Sequence, residues 1–168
     1  MALAQPRFVK SETQVKASGV DIVVAFDMSG SMMSEDFEVR GQRVNRFDMA
    51  RNVLEDFIRK RPNDRIGLVV FASQAYIATP LTLDHDFLLA NLDRLQIGNI
   101  EANSTAIGSG LSTAVNRLRD LKAKSKIVIL MTDGVNNAGK INPLTAAEAA
   151  QALDVKCYTI GVGMQGNA

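Results

Sequence analysis

The stretch "VDIVVAFDMSGSMMSEDF" (residues 20–37) joins two unlike halves. An unbroken apolar run, "IVVAF" (22–26), stops at a carboxylate, Asp27, and Ser29 and Ser31 then follow at every second position. Continuous hydrophobicity rich in Val and Ile, as opposed to alternation, suits a strand covered on both faces, as in a parallel sheet. A strand of that kind delivering one carboxylate and two hydroxyls to one point implies a site at its carboxyl end.

Outward from that stretch the pattern repeats. Runs of the same kind are "IGLVVF" (66–71), "KIVILMT" (126–132) and "KCYTIGV" (156–162), while "AYIATP" (75–80) is short, is stopped by Pro80 and suits an edge strand. Between them Phe47, Ala50, Leu54, Phe57 and Ile58 recur at helical spacing until "RPND" (61–64). Ile107, Leu111, Ala114, Val115 and Leu118 form a second stripe, and "DFLLANLDRL" (86–95) and "PLTAAEAAQAL" (143–153) read as two more helices. Strands alternating with helices predict a doubly wound, Rossmann-like α/β domain. Its central sheet is expected to be mostly parallel, with one short antiparallel edge strand and helices on both faces. No repeat, linker or low-complexity segment divides the 168 residues, enough for one domain with a substantial core.

Composition narrows the function classes. Apolar residues make up 46% and charged ones 22%, as in globular domains. Nineteen basic residues against eighteen acidic ones leave +1, which argues against binding a nucleic-acid backbone. The single cysteine, Cys157, excludes an internal disulfide and, inside an apolar run, is expected in the core. The single histidine, His85, lies among carboxylates at an expected helix start and is expected on the surface. No apolar run approaches the ~20 residues that cross a bilayer, and "MALAQPRF" (1–8) lacks the basic start of a signal peptide.

Ligands of doubly wound sheets bind beyond the carboxyl ends of the strands. Asp27, Ser29 and Ser31 stand there after the first run, Thr132-Asp133-Gly134 after the third, and Thr105 before the second helical stripe. Two carboxylates with hydroxyls, and neither imidazole nor thiolate, make a hard oxygen set suited to Mg²⁺, Ca²⁺ or Mn²⁺ and poorly suited to Zn²⁺. D-x-S-x-S spacing alone is also used by helix caps and turns. A second Asp ending another strand and a Thr opening the next helix set this case apart. The alternative is a Mg²⁺-dependent, phosphatase-like hydrolase using Asp27. Its D-x-D pattern, however, has Ser29 in the second acidic position here, and only Lys140 follows Asp133 nearby. A serine nucleophile has less support, because "DMSGSM" is not G-x-S-x-G.

"DMSGSM", "STAIG" and "LMTDGVNNAG" resemble the D-x-S-x-S, Thr and D-G elements of the metal-ion-dependent adhesion site of von Willebrand factor A domains. "RPNDRIGLVVFAS" and "PLTAAEAAQALDVKCYTIGVG" are similar to the same family, and the resemblance spans roughly residues 18–166. Within the family it resembles the aerotolerance-operon (Bat) proteins of bacteria, of the BatA type. The resemblance implies a domain over 18–168 behind an extension, 1–17, that follows a membrane helix. It implies Mg²⁺, with Ca²⁺ or Mn²⁺ as substitutes, held by the hydroxyls of Ser29, Ser31 and Thr105. Asp27 and Asp133 would act directly or through water, and an Asp or Glu of a partner protein would complete the shell. The role would be non-catalytic adhesion or scaffolding with proteins of the same operon and without nucleic acid. The domain would be held at the bacterial inner membrane by segments outside this chain and would face the periplasm. Two departures stand out. Ser104 replaces the usual Gly before Thr105, and the chain ends at Ala168, before the further strand and helix with which such domains continue. A truncated domain with 156–162 near an open sheet edge is therefore expected.

Overall fold

The computed structural model describes residues 19–97, 106–119, 121, 123–133 and 143–162, the last with side chains from Ala146 onward. Strand β1 (Val20–Asp27) is the centre of a five-stranded sheet ordered β5-β4-β1-β6-β7. Its parallel neighbours are β4 (Arg65–Phe71) and β6 (Ser125–Thr132), and β7 (Lys156–Gly161) adds in parallel beyond β6. Strand β5 (Ala75–Thr82) closes the other edge antiparallel to β4. The expected doubly wound, mostly parallel α/β architecture is present.

Side chains of a strand alternate between faces, so a strand buried on both faces must be apolar throughout. In β1, Ile22, Val24 and Phe26 join a core with Phe47, Ala50, Leu54 and Ile58 of α1 (Arg46–Arg59) and Leu88 and Leu92 of α2 (His85–Arg94). Val23 and Ala25 face the opposite core, built from Ile107, Leu111, Ala114, Val115 and Leu118 of α3 (Ile107–Leu118) and Ala146 and Ala150 of α4 (Pro143–Ala152). Helix starts follow local capping chemistry. Asn45 Oδ1 accepts from Asp48 N at 2.7 Å ahead of α1, and Asp84 Oδ1 accepts from Phe87 N at 3.1 Å ahead of α2.

Four details depart from the sequence expectations. Strand β5 does not stop at Pro80 but runs through it to Thr82. An edge strand tolerates proline where its pairing is irregular, and the register shifts between the pairs Ile66–Thr82 and Leu68–Thr79, which bracket Pro80. Gly67 permits this close passage, since a Cβ there would lie 3.1 Å from Leu81 N and 3.2 Å from Thr79 O. Cys157 is exposed, not in the core, because among the described residues β7 pairs with β6 alone, and five of its six residues are exposed. His85 is half-buried, with Nε2 2.7 Å from Asp64 O, and so ties the start of α2 to the turn before β4. Finally, a small hairpin of β2 (Phe37–Val39) and β3 (Gln42–Val44) follows the serine motif and was not expected. Its turn residues Arg40 and Gly41 have φ of 54° and 79°, the left-handed pair of a tight two-residue hairpin turn.

Candidate metal centre

The ladder between β1 and β4 extends one residue past the strand, where Met28 N donates to Phe71 O at 2.8 Å. The chain then tightens into a 3₁₀ turn, Gly30–Met33, with Met32 N donating to Ser29 O at 3.0 Å. Met28 and Met32 are wholly buried in the core beneath α1. Those two anchors explain the alternation in "DMSGSM": methionines fasten the loop from below while Asp27, Ser29 and Ser31 are gathered together.

Asp27 is the focus. Its Oδ1 accepts from Ser29 N at 2.8 Å and from Ser29 Oγ at 2.6 Å, and its Oδ2 accepts from Thr132 Oγ1 at 2.7 Å. Asp27, Ser29 and Thr132 are all buried. Ser29 has one hydroxyl hydrogen and commits it to Asp27, so Ser31 must be the donor in the 3.1 Å contact between the two serine hydroxyls. Both hydroxyl oxygens then keep lone pairs that a cation can use. Burial pushes the Asp27 carboxyl above its ordinary pKa, the bonds from Ser29 and Thr132 hold it back, and the charge of Asp133 pushes it further up.

Asp133 follows β6 directly, and its side chain is out of reach of solvent. Its Oδ2 accepts from Arg46 Nη1 at 3.1 Å, and the same guanidinium donates through Nε to Asp36. Burial alone would lower the Arg46 pKa, but the bonds and charges of Asp36 and Asp133 outweigh it and raise the value.

The structure thus brings Asp27, Ser29 and Ser31 together and places Asp133 within electrostatic reach of them. Thr105, like Ser104 before it, lies outside the described residues. Its neighbour Ala106 is fastened to this edge, with its N donating to Ala72 O at 2.6 Å. Sequence reasoning placed Thr132 at this edge beside Asp133 but gave it no role, although a polar residue ending an apolar strand was an available signal. It missed one residue, Arg46, which gave no signal, since it opens a helix 87 positions away from its partner Asp133.

The donor set fits a hard divalent cation. Asp27 beside the Ser29 and Ser31 hydroxyls, with the Asp133 carboxylate within electrostatic reach, makes an all-oxygen donor set. Fold and site together define a Rossmann-like α/β domain with an oxygen-rich binding edge at the carboxyl ends of its central strands. Residues 21–168 match the von Willebrand factor type A domain, and the chain belongs to that family.

Its relatives include an uncharacterized protein of Borreliella burgdorferi, 36% identical over 96% of this chain and 46% of its own length. The chain spans about half the length of the curated relatives it matches. Among solved structures, BatB from Bacteroides thetaiotaomicron superposes with a TM-score of 0.79 at 28% identity, over 88% of this chain and 69% of that one. An aerotolerance-related membrane protein from Bacteroides fragilis gives 0.78 at 26% identity, over 86% and 68%. Proximal thread matrix protein 1 from the mussel byssus, with a zinc-occupied adhesion motif, gives 0.70 at 25% identity, over 87% and 38%. The family implied by the motifs and the likeness to Bat-type proteins are borne out, the Bat protein named among these structures being BatB and not of the expected BatA type.

Proposed function

We propose that this domain is a metal-dependent protein–protein interaction module with no catalytic activity of its own. A Mg²⁺ ion, replaceable by Mn²⁺ or Ca²⁺, would be held by Ser29, Ser31 and Thr105 with Asp27 and Asp133 behind them, and would bind an Asp or Glu carboxylate of a partner. The observation that carries this reading is the orientation of the Ser29 hydroxyl. Its hydrogen points to the buried Asp27 and one lone pair accepts from Ser31, so the other lone pair is left for a cation. A shell built from neutral hydroxyls leaves the ion much of its charge and therefore its attraction for an outside carboxylate. The zinc-occupied motif of the mussel protein supports divalent-cation binding on this fold. A phosphatase using Asp27 as nucleophile is disfavoured, because both carboxylate oxygens are engaged and the residue is fully buried.

Likeness to the Bat-type structures supports a partner from the same operon and a domain held at the inner membrane, facing the periplasm. Among the described residues no helix is long and apolar enough to cross a membrane. The anchor in this reading therefore lies outside them, ahead of the extension 1–17. Recovery of the full-length protein in the soluble cytosolic fraction would count against that placement.

The metal reading is tested by thermal unfolding with and without Mg²⁺. The parent should gain melting temperature on adding Mg²⁺, and Asp27→Ala should gain none, because half of the site's carboxylate charge is gone. Equal gains in the two proteins would overturn the assignment.

A further inference from the structure

The metal edge carries a cation of its own. Arg46 opens α1 with 16% of its side chain exposed, and its guanidinium lies between two carboxylates of different standing. Nη1 donates to Asp133 Oδ2, on the β6 side of the edge, and Nε donates to Asp36, in the segment leading into the β2–β3 hairpin. The placement is braced twice over. Arg46 N donates to Ser34 O at 2.9 Å, and Arg43 donates to Glu35 O at 2.8 Å, which fixes the segment carrying Asp36.

We infer that Arg46 is a built-in counter-cation of the metal centre, a positioning residue that holds Asp133 through Nη1 and competes electrostatically with the divalent ion for it. Asp36 is the other half of the device, because it draws the guanidinium away from Asp133 and so favours the metal. The inference rests on the metal-centre reading given above. Its physical basis is simple. A fixed positive charge bonded to one of the two site carboxylates repels an incoming divalent ion, and at the distance of a bonded guanidinium that repulsion is only partly screened by solvent. The site would then bind its ion loosely enough to exchange it, and the strength of binding would depend on the segment that carries Asp36.

Isothermal titration of the protein with MgCl₂ and with MnCl₂ tests this. Arg46→Gln should bind both ions more tightly than the parent, by about three- to tenfold for a unit charge roughly one residue's width from a divalent ion. Asp36→Asn should bind them more weakly, and Arg46→Lys, which keeps the charge, should stay within about twofold of the parent. A residue that merely props the loop would make all three variants weaker, so opposite signs for Arg46→Gln and Asp36→Asn distinguish the two roles. Unchanged or weaker binding by Arg46→Gln in a protein whose parent binds the ions overturns the role of Arg46 alone. A parent that binds neither ion overturns this inference and the metal-centre reading together.

Discussion

Asp27 is held in place by three hydrogen bonds, and Thr132 supplies the only one of them that comes from another strand. Thr132→Val keeps the shape but removes a donor from a buried carboxylate, at an expected cost of about 1–3 kcal/mol in urea unfolding. Magnesium affinity should fall with it, because Asp27 would no longer be pinned against β6. The same carboxylate sets a pH dependence. Its folded pKa is raised, chiefly by burial, so the folded state holds the proton to higher pH than the unfolded chain does. Below the unfolded pKa both states are protonated and the full stability is present. As pH rises from there through the folded pKa, the unfolded chain ionises first and stability is lost. In metal-stripped protein this decline should appear in melting curves taken from acid to neutral pH, and Asp27→Asn should flatten it. A decline of the same size in that variant would mean that another group is responsible. Asp27 was legible in the sequence because a second carboxylate, Asp133, ends another apolar strand of the same sheet. The place of Thr132 at the edge was legible too, but its bond to Asp27 was not, because threonine is also an ordinary strand residue.

Among the described elements, α3 fits tightly against the sheet. Gly110 lies so close to Phe71 of β4 that a Cβ there would approach the ring to 2.5 Å, and Ala106, just ahead of the helix, bonds to Ala72 just past the same strand. The contact draws the start of α3 onto the carboxyl edge of the sheet, which carries the proposed metal site. Alanine is the better helix former by up to ~1 kcal/mol, yet overpacking a core contact typically costs about 1–3 kcal/mol. The fit decides the sign here, because an aromatic ring wedged between strand and helix has little room to yield. Gly110→Ala should therefore lower the urea midpoint and also weaken Mg²⁺ binding. Loss of stability with unchanged Mg²⁺ affinity would show that α3 does not set the geometry of the site. The strands and helices themselves were legible because each face of the sheet demands apolar residues at fixed periods. The β2–β3 hairpin was not, since three-residue strands with largely exposed side chains leave no hydrophobic pattern. Its turn, Arg40-Gly41, is the one local hint. Cys157 misled for the opposite reason: its run has enough apolar residues to read as buried but occupies an edge of the described sheet.

At the scale of the whole molecule, parallel pairing separates two tasks. It gathers the carboxyl ends of β1 and β6 into the edge of the proposed metal site and leaves the amino ends of β1 and β4 at the opposite side. There Asp21, 2% exposed, is gripped by Arg65 directly across the ladder, with Nε at 2.8 Å from Oδ1 and Nη2 at 2.5 Å from Oδ2. The bond to Asp21 is the main reason that the Arg65 pKa is raised. Removing the arginine would strand a buried carboxylate, but 44% of the Arg65 side chain is exposed, so water can move in and soften the loss. Arg65→Met should cost about 1–3 kcal/mol. Asp21 and Asp27 are six residues apart on one strand, about 20 Å at ~3.3 Å per residue. Over that span charges are screened and substitutions add independently. Arg65→Met should therefore lower the melting temperature while leaving Mg²⁺ affinity within about twofold of the parent, the reverse of Asp27→Ala. If titration instead found Mg²⁺ affinity lost along with stability, the two ends of the sheet would be coupled, and the rigid central strand would be acting as more than a scaffold.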